Sequence, residues 1–201
     1  MKCVEKYIFK KRNIYLISKH DISDLKHIEI NPDVTITYYN LNDENLESIL
    51  SHIYENKKLV TKYTKRNERD WKLIIAYYNN NPAGALWIYE PSEKLFYDSI
   101  EINPNQILLC SVYVNSNYRG HGIHNQMREK ALEYWMNNCI DKEVMSVVER
   151  GNIASNKNIQ RSGVKIKGYN YLIKLLGKNI VSIYKTNDKT NIWFLFNIKK
   201  A

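Results

Sequence analysis

The chain has 201 residues, 44% apolar and 25% charged, with a net charge of +9. That is enough apolar material for the core of one domain. No stretch approaches the roughly 20 apolar residues of a membrane span, and the opening MKCVEKYIFKKRN lacks the apolar centre of a signal peptide, so a cytoplasmic protein is expected.

In chain order, YIF and NIYLIS read as two short strands around the basic turn KKRN. Residues 1–33 are therefore expected to be an N-terminal extension, a strand hairpin packed on the same domain, with 34–201 forming the main domain. VTITYYN (34–40) alternates β-branched and aromatic residues and reads as a strand. Asn42 or Asp43 can cap a helix in which Leu46, Ile49, Leu50 and Ile53 recur at helical spacing. A second, more charged helix is expected over 56–68. Strands 71–78 and 83–89 flank the turn formers NNNP and predict a hairpin.

QILLCSVYV (106–114) is an apolar run bounded by turn signals and reads as a buried central strand. A helix follows over 123–138, with Ile123, Met127, Ala131, Leu132 and Trp135 on one face. EVMSVVE is another strand, and ASNKNIQRSG a short helix with Gly163 as its C-cap. Strands at 165–175, 180–186 and 191–198 close the chain. The last, NIWFLFNI, reads as a core strand or as a homodimer contact. Strands and helices intermingle, as in an α/β domain.

The stretch NYRGHGIHNQM (117–127) carries the chemistry. The first four N–H groups of a helix lack internal partners and point outward with the positive end of the helix dipole, where phosphates bind readily. Gly120 and Gly122 let the backbone approach a ligand with no Cβ in the way. Arg119 adds a fork of donors suited to phosphate oxygens. RGHGIH has neither the dinucleotide spacing G-x-G-x-x-G nor the Lys-Ser/Thr of a P-loop. His121 and His124 have no third ligand nearby, and Cys3, Cys110 and Cys139 are far apart with no CxxC spacing, so neither a metal nor a disulfide is expected. Cys110 reads as a small core residue. The lysines are scattered, and the densest stretch, 57–72, is broken by acids. A nucleic-acid partner is therefore not expected, although net charge alone would allow one.

VYVNSNYRGHGIHNQM resembles the acetyl-CoA loop of the GNAT acetyltransferase superfamily, Arg/Gln-x-x-Gly-x-Gly/Ala after a strand ending V-x-V. NIASNKNIQRSGVKIKG resembles the family's second signature, through Asn152, Ser155, Gly163 and Val164. The resemblance covers roughly 71–175. It implies the GNAT fold: a mixed, mostly antiparallel central sheet flanked by helices, splayed between the fourth and fifth family strands. It implies acetyl-CoA as cosubstrate. The backbone of Val112, Tyr113 and Val114 would pair with the pantetheine arm. The backbone from Arg119 through Gly120, His121, Gly122 and Ile123 to His124 would cradle the pyrophosphate. Asn152 would bond the arm, and Ser155 would sit near the start of the short helix, where a capping role is equally open. The N–H of Val114 would serve the developing oxyanion.

Two positions depart from the family pattern. His124 stands where the loop ends in a small residue. Ile159 stands where many members carry the Tyr that protonates the leaving thiolate. Of the family's two base positions, one holds Val147 and the other falls near Gln106, neither of which accepts a proton. Glu149, on the same side of its strand as Val147, is the candidate base, with Glu101 and Glu90 as further candidates. The expected function is acetyl transfer to a primary amine of a small molecule, an amino sugar being one option by fold analogy. The alternatives are a protein or peptide N-acetyltransferase and a non-catalytic acyl-CoA-binding module. Several tyrosines, among them Tyr38, Tyr39, Tyr77, Tyr78 and Tyr113, are available to line an acceptor pocket.

Overall fold

The computed structural model describes residues 9–26, 28–66, 70–175, 178–187 and 189–195. Cys3, residues 7–8 of the expected first strand, residues 67–68 of the expected second helix and 196–198 of the expected last strand lie outside them. The chain divides into two compact units, one made of 27–90 and 107–142, the other of 1–26, 91–106 and 143–201.

The first unit carries β2 (Val34–Tyr39), β3 (Trp71–Tyr78), β4 (Asn81–Tyr89) and, from its second residue on, β7 (Gln106–Val114), hydrogen-bonded in the order β7-β4-β3-β2 with every ladder antiparallel. The β3–β4 turn is tighter than NNNP suggests. Asn79 and Asn80 alone make it, with φ of 48° and 65°, the left-handed pair that a two-residue hairpin needs and that Asn tolerates. Asn81 and Pro82 therefore open β4, two residues earlier than expected. Pro82 faces Tyr77 at a register shift, where a missing N–H is tolerated.

Helix α1 (Leu46–Ile53) buries Leu46, Leu50 and Ile53. Helix α2 (Lys57–Tyr63) is capped by the Asn56 side chain, which accepts from Lys58 N at 2.9 Å. It ends at Tyr63 with Thr64 as its C-cap, short of the expected 68. Helix α3 (Ile123–Asn138) buries the five expected apolar residues. It lies close over β4 because Gly84 has no side chain: a Cβ there would meet Met127 Cε and Tyr113 O at 3.0 Å.

The second unit carries β1 (Phe9–Ile17), β5 (Leu95–Tyr97), β6 (Ile100–Ile102), β8 (Glu143–Glu149), α4 (Ile153–Arg161), β9 (Ile166–Leu175), β10 (Lys178–Thr186) and β11 (Thr190–Phe194). Its main sheet runs β11-β10-β9-β1-β8, again antiparallel throughout. Here the expected N-terminal hairpin is overturned. KKRN is not a turn, and residues 9–17 are one strand paired on both sides, with β8 and β9. The charges that suggested a turn find distant partners. Arg12 is buried and donates to Asn170 Oδ1 at 2.8 Å and Asp98 Oδ2 at 2.6 Å. Lys10 pairs with Glu149. Burial lowers the Arg12 pKa, and the charges of Asp98 and Glu149 oppose that shift.

Asp98 comes from the β5–β6 hairpin, which the sequence did not suggest. Its turn residues Asp98 and Ser99 are both left-handed, with φ of 44° and 69°. Gly163, past the end of α4, has φ +88°, and a Cβ there would fall 2.1 Å from the Asp24 carbonyl oxygen. Only glycine fits both demands.

Candidate functional site

The loop between β7 and α3 is held from below by polar side chains. Asn115 is buried: its Nδ2 donates to His52 O at 2.9 Å and its Oδ1 accepts from Asn117 N at 3.0 Å. Ser116 donates to Glu55 through both its N–H (3.3 Å) and its hydroxyl (2.5 Å). These bonds lower the Glu55 pKa. Further along, the His121 ring stacks on Tyr78 with centroids 4.3 Å apart, and the His121 carbonyl accepts from Asn31 Nδ2 at 3.1 Å. A loop tied at both ends to helix and strand termini presents a preformed backbone.

Gly120 and Gly122 are left-handed, with φ of 91° and 76°. No atom lies within 4 Å of a Cβ added at Gly120. At Gly122 the nearest is Gln126 Nε2, at 3.8 Å. Gly122 is the N-cap of α3 and accepts from Asn125 N and Gln126 N. The loop therefore leaves open space directly over the backbone that starts a 16-residue helix.

Two buried nitrogens sharpen this picture. Gln126 is 7% exposed, and its Nε2 has no hydrogen-bond partner among the described residues. Its position, 3.8 Å from the point a Gly122 Cβ would occupy, aims that donor at the loop. His124 Nδ1 is likewise buried without a partner. Burial depresses the His124 pKa to about 4; Asn125 opposes the shift and Arg128 adds to it. The imidazole is thus neutral at pH 7 and half-buried. An unmet buried donor beside an open left-handed glycine suits a ligand of acceptor oxygens, so the residues present fit a diphosphate. Arg119 is exposed, and its Nε donates to Val114 O at 3.2 Å.

Val112, Tyr113 and Val114 end β7, half-buried, on the outermost strand of their unit's set. Ile123 is buried in the core. Arg119, Gly120, His121, Gly122, Ile123 and His124 are thus brought together with Val112–Val114 in one unit. Glu149, Asn152 and Ser155 are grouped in the other unit. Asn152 is the N-cap of α4: its Oδ1 accepts from Ser155 N at 3.2 Å, so Asn152 rather than Ser155 does the capping. Glu149 ends β8 exposed, its carboxylate paired with Lys10. Ile159 is buried in the core side of α4.

Asn156, which sequence reasoning passed over, anchors this second group. Its Oδ1 accepts from Tyr15 OH (2.7 Å) and Asn13 Nδ2 (2.8 Å). Its Nδ2 donates to the carbonyls of Glu149 (3.0 Å) and Asn152 (2.7 Å). One buried amide thereby fixes the connection from β8 to α4. The cue was an Asn at the helical spacing of the inward-facing Ile159. Gln126 carried a similar cue, a polar residue among the apolar positions of α3.

The remaining carboxylates have other partners. Glu90 accepts from Lys142 Nζ (2.7 Å), Tyr134 OH (2.8 Å) and Lys72 Nζ (3.2 Å). Burial raises its pKa, but these donors outweigh burial and hold it below the ordinary value. Such a group is a poor base. Glu101 pairs with Lys94 at 3.0 Å. Gln106 is buried and donates to Glu143 Oε2 at 2.8 Å. Cys110 is half-buried rather than a core residue.

A family model described as the Acetyltransferase (GNAT) family matches residues 38–163. Solved structures share the fold. A GCN5-related N-acetyltransferase from Kribbella flavida is 12% identical, with a TM-score of 0.55, covering 82% of this chain and 59% of its own. Another from Sphaerobacter thermophilus is 13% identical with a TM-score of 0.58, covering 82% and 50%. A tandem GNAT protein from the clavulanic acid biosynthesis pathway is 12% identical with a TM-score of 0.58, covering 79% and 50%. This chain thus spans 50% to 59% of the length of these three. A comparison with curated protein sequences finds no match.

Proposed function

The chain belongs to the acetyltransferase (GNAT) family, with the family's α/β fold, and from that premise we propose that it transfers an acetyl group from acetyl-CoA to a primary amine of a small molecule. One observation carries the reading: two left-handed glycines with open space above them, at the start of α3, with the unmet Gln126 donor aimed at the opening. The backbone of Arg119–His124 holds the diphosphate through N–H groups and the helix dipole. Arg119, exposed at the rim, adds charge. The backbone of Val112–Val114 aligns the extended arm as an added strand would, and the Val114 N–H faces the developing oxyanion. Asn152 and Ser155, in the other unit, are candidates for cofactor contact on the family signature alone.

Acetyl-CoA supplies an activated thioester carbonyl. The amine nitrogen bonds to that carbon, the C–S bond breaks, and the amine loses a proton while the sulfur gains one. Glu149 is our candidate acceptor for the amine proton. Its carboxylate is paired with Lys10, so the Lys10 ammonium must swing away, or a water must relay the proton, for the amine to reach it. We take the acceptor to be a primary amine of a small molecule, amino sugars included.

A coupled assay of thiol release, run with acetyl-CoA and a panel of amino sugars, polyamines and peptide amines, tests the reading. Turnover with a small amine supports it, and turnover confined to peptide amines moves the acceptor class. The buried Ile159 favours a second reading, a non-catalytic acyl-CoA-binding module, because α4 offers no proton donor there. Binding of acetyl-CoA without turnover of any amine would select that module.

A further inference from the structure

We infer that Arg66 is a positioning residue that clamps a bulge in β7 and so sets the path of Val112–Val114; the inference rests on the acetyl-CoA reading above. The bulge is explicit in the ladder. Ala85 of β4 faces Tyr113 and Trp87 faces Cys110, so Ser111 and Val112 together oppose Leu86. Ser111 is left-handed, with φ of 52°, which a non-glycine residue holds only when its surroundings impose it. Such a two-against-one bulge bends its strand and re-aims the residues beyond it.

The surroundings that impose it are side chains. Arg66 Nη2 donates to Ser111 Oγ at 3.1 Å. Tyr54 OH reaches the Ser111 carbonyl at 3.4 Å and accepts from Trp87 Nε1 at 3.2 Å. The Tyr54 ring packs on Tyr113, two residues past the bulge, with centroids 5.0 Å apart. The guanidinium itself is immobilised. Arg66 is 9% exposed, and its Cζ lies 3.7 Å from the ring centre of Trp71, 4.4 Å from Tyr63 and 4.5 Å from Trp87. A planar cation fixed on aromatic faces presents its donor in one direction, as a flexible lysine would not. Ser111 is thus held at both its hydroxyl and its carbonyl, and the strand segment that follows is the one the proposal assigns to the pantetheine arm and the oxyanion.

Calorimetric titration of CoA into wild type, Arg66→Gln, Ser111→Ala and the double variant tests this. Each single variant should weaken Kd about tenfold, the size of one charge-assisted hydrogen bond. The double should be no worse than either single, because both remove the same bond. Singles that bind like wild type, or a double equal to the product of the singles, would overturn the clamp. Should Arg66→Gln fail to fold, Ser111→Ala decides, and a second measurement does not depend on CoA. Amide exchange at 111–114 should quicken in Ser111→Ala while 71–78 stays as in wild type, and unchanged exchange at 111–114 would overturn the clamp. Wild type that fails to bind CoA would refute the cofactor reading and the positioning role with it, leaving the exchange result to judge the clamp alone.

Discussion

Substituting Gly122 by Ala and by Glu separates backbone strain from charge at the proposed cradle. At φ +76° any L side chain is strained, at a cost of about 1–2 kcal/mol. Space is not the obstacle, since a Cβ would meet only Gln126 Nε2, at 3.8 Å. Gly122→Ala should therefore fold, with a Tm lower by roughly 2–8 °C for a chain of this size, and should still bind CoA. Gly122→Glu carries the same strain plus a carboxylate over the cradle. Two like charges about 6 Å apart at an effective dielectric of about 20 repel by roughly 3 kcal/mol, a factor on the order of 100 in Kd. Thermal melts give the strain, and calorimetry with CoA gives the affinity. A Glu variant that binds as tightly as the Ala variant would refute the reasoning, because the loop would then not face the diphosphate.

Other expectations follow from the same geometry. Gly163→Ala should destabilise by at least about 3 kcal/mol, combining left-handed strain with a Cβ 2.1 Å from the Asp24 carbonyl oxygen, and a denaturant midpoint within error of wild type would contradict this. Asn156→Leu leaves the carbonyls of Glu149 and Asn152 without their side-chain donor and should cost about 2–4 kcal/mol in urea unfolding. His124 has a folded pKa near 4 against 6.5. Between those values the unfolded chain binds a proton that the folded chain refuses, so stability is full above about pH 6.5 and falls as pH drops to about 4. The loss is at most about 3 kcal/mol, and His124→Asn should flatten that acid limb of a Tm–pH profile. Glu149→Gln removes an exposed ion pair and should change stability by under about 1 kcal/mol while lowering kcat at least about 100-fold. A variant of unchanged kcat would remove Glu149 from the reaction.

What could be read in advance was what local pattern determines. The run 106–114 and the period of 123–138 gave β7 and α3 at their observed bounds, because one is an apolar block and the other an apolar stripe. The glycine turn between them was legible because Gly120 and Gly122 adopt the conformation that glycine permits. What escaped was set by distant partners. KKRN looked like a turn because its charges had no visible neighbours, and those neighbours come from Asp98, Glu149 and Asn170. The β5–β6 hairpin has only three residues per strand, too few for a period to show. Ser111 is left-handed inside an apolar run, with its Arg66 partner 45 residues earlier, and no local rule marks such a residue. Gln126 is polar on an amphipathic helix, and only the fold shows it turned inward.

Amide hydrogen exchange with and without acetyl-CoA addresses the diphosphate cradle most directly. The account predicts protection concentrated at 112–114 and 119–126, lost in Gly122→Glu. Protection that leaves these amides untouched, or no change at saturating acetyl-CoA, would contradict it.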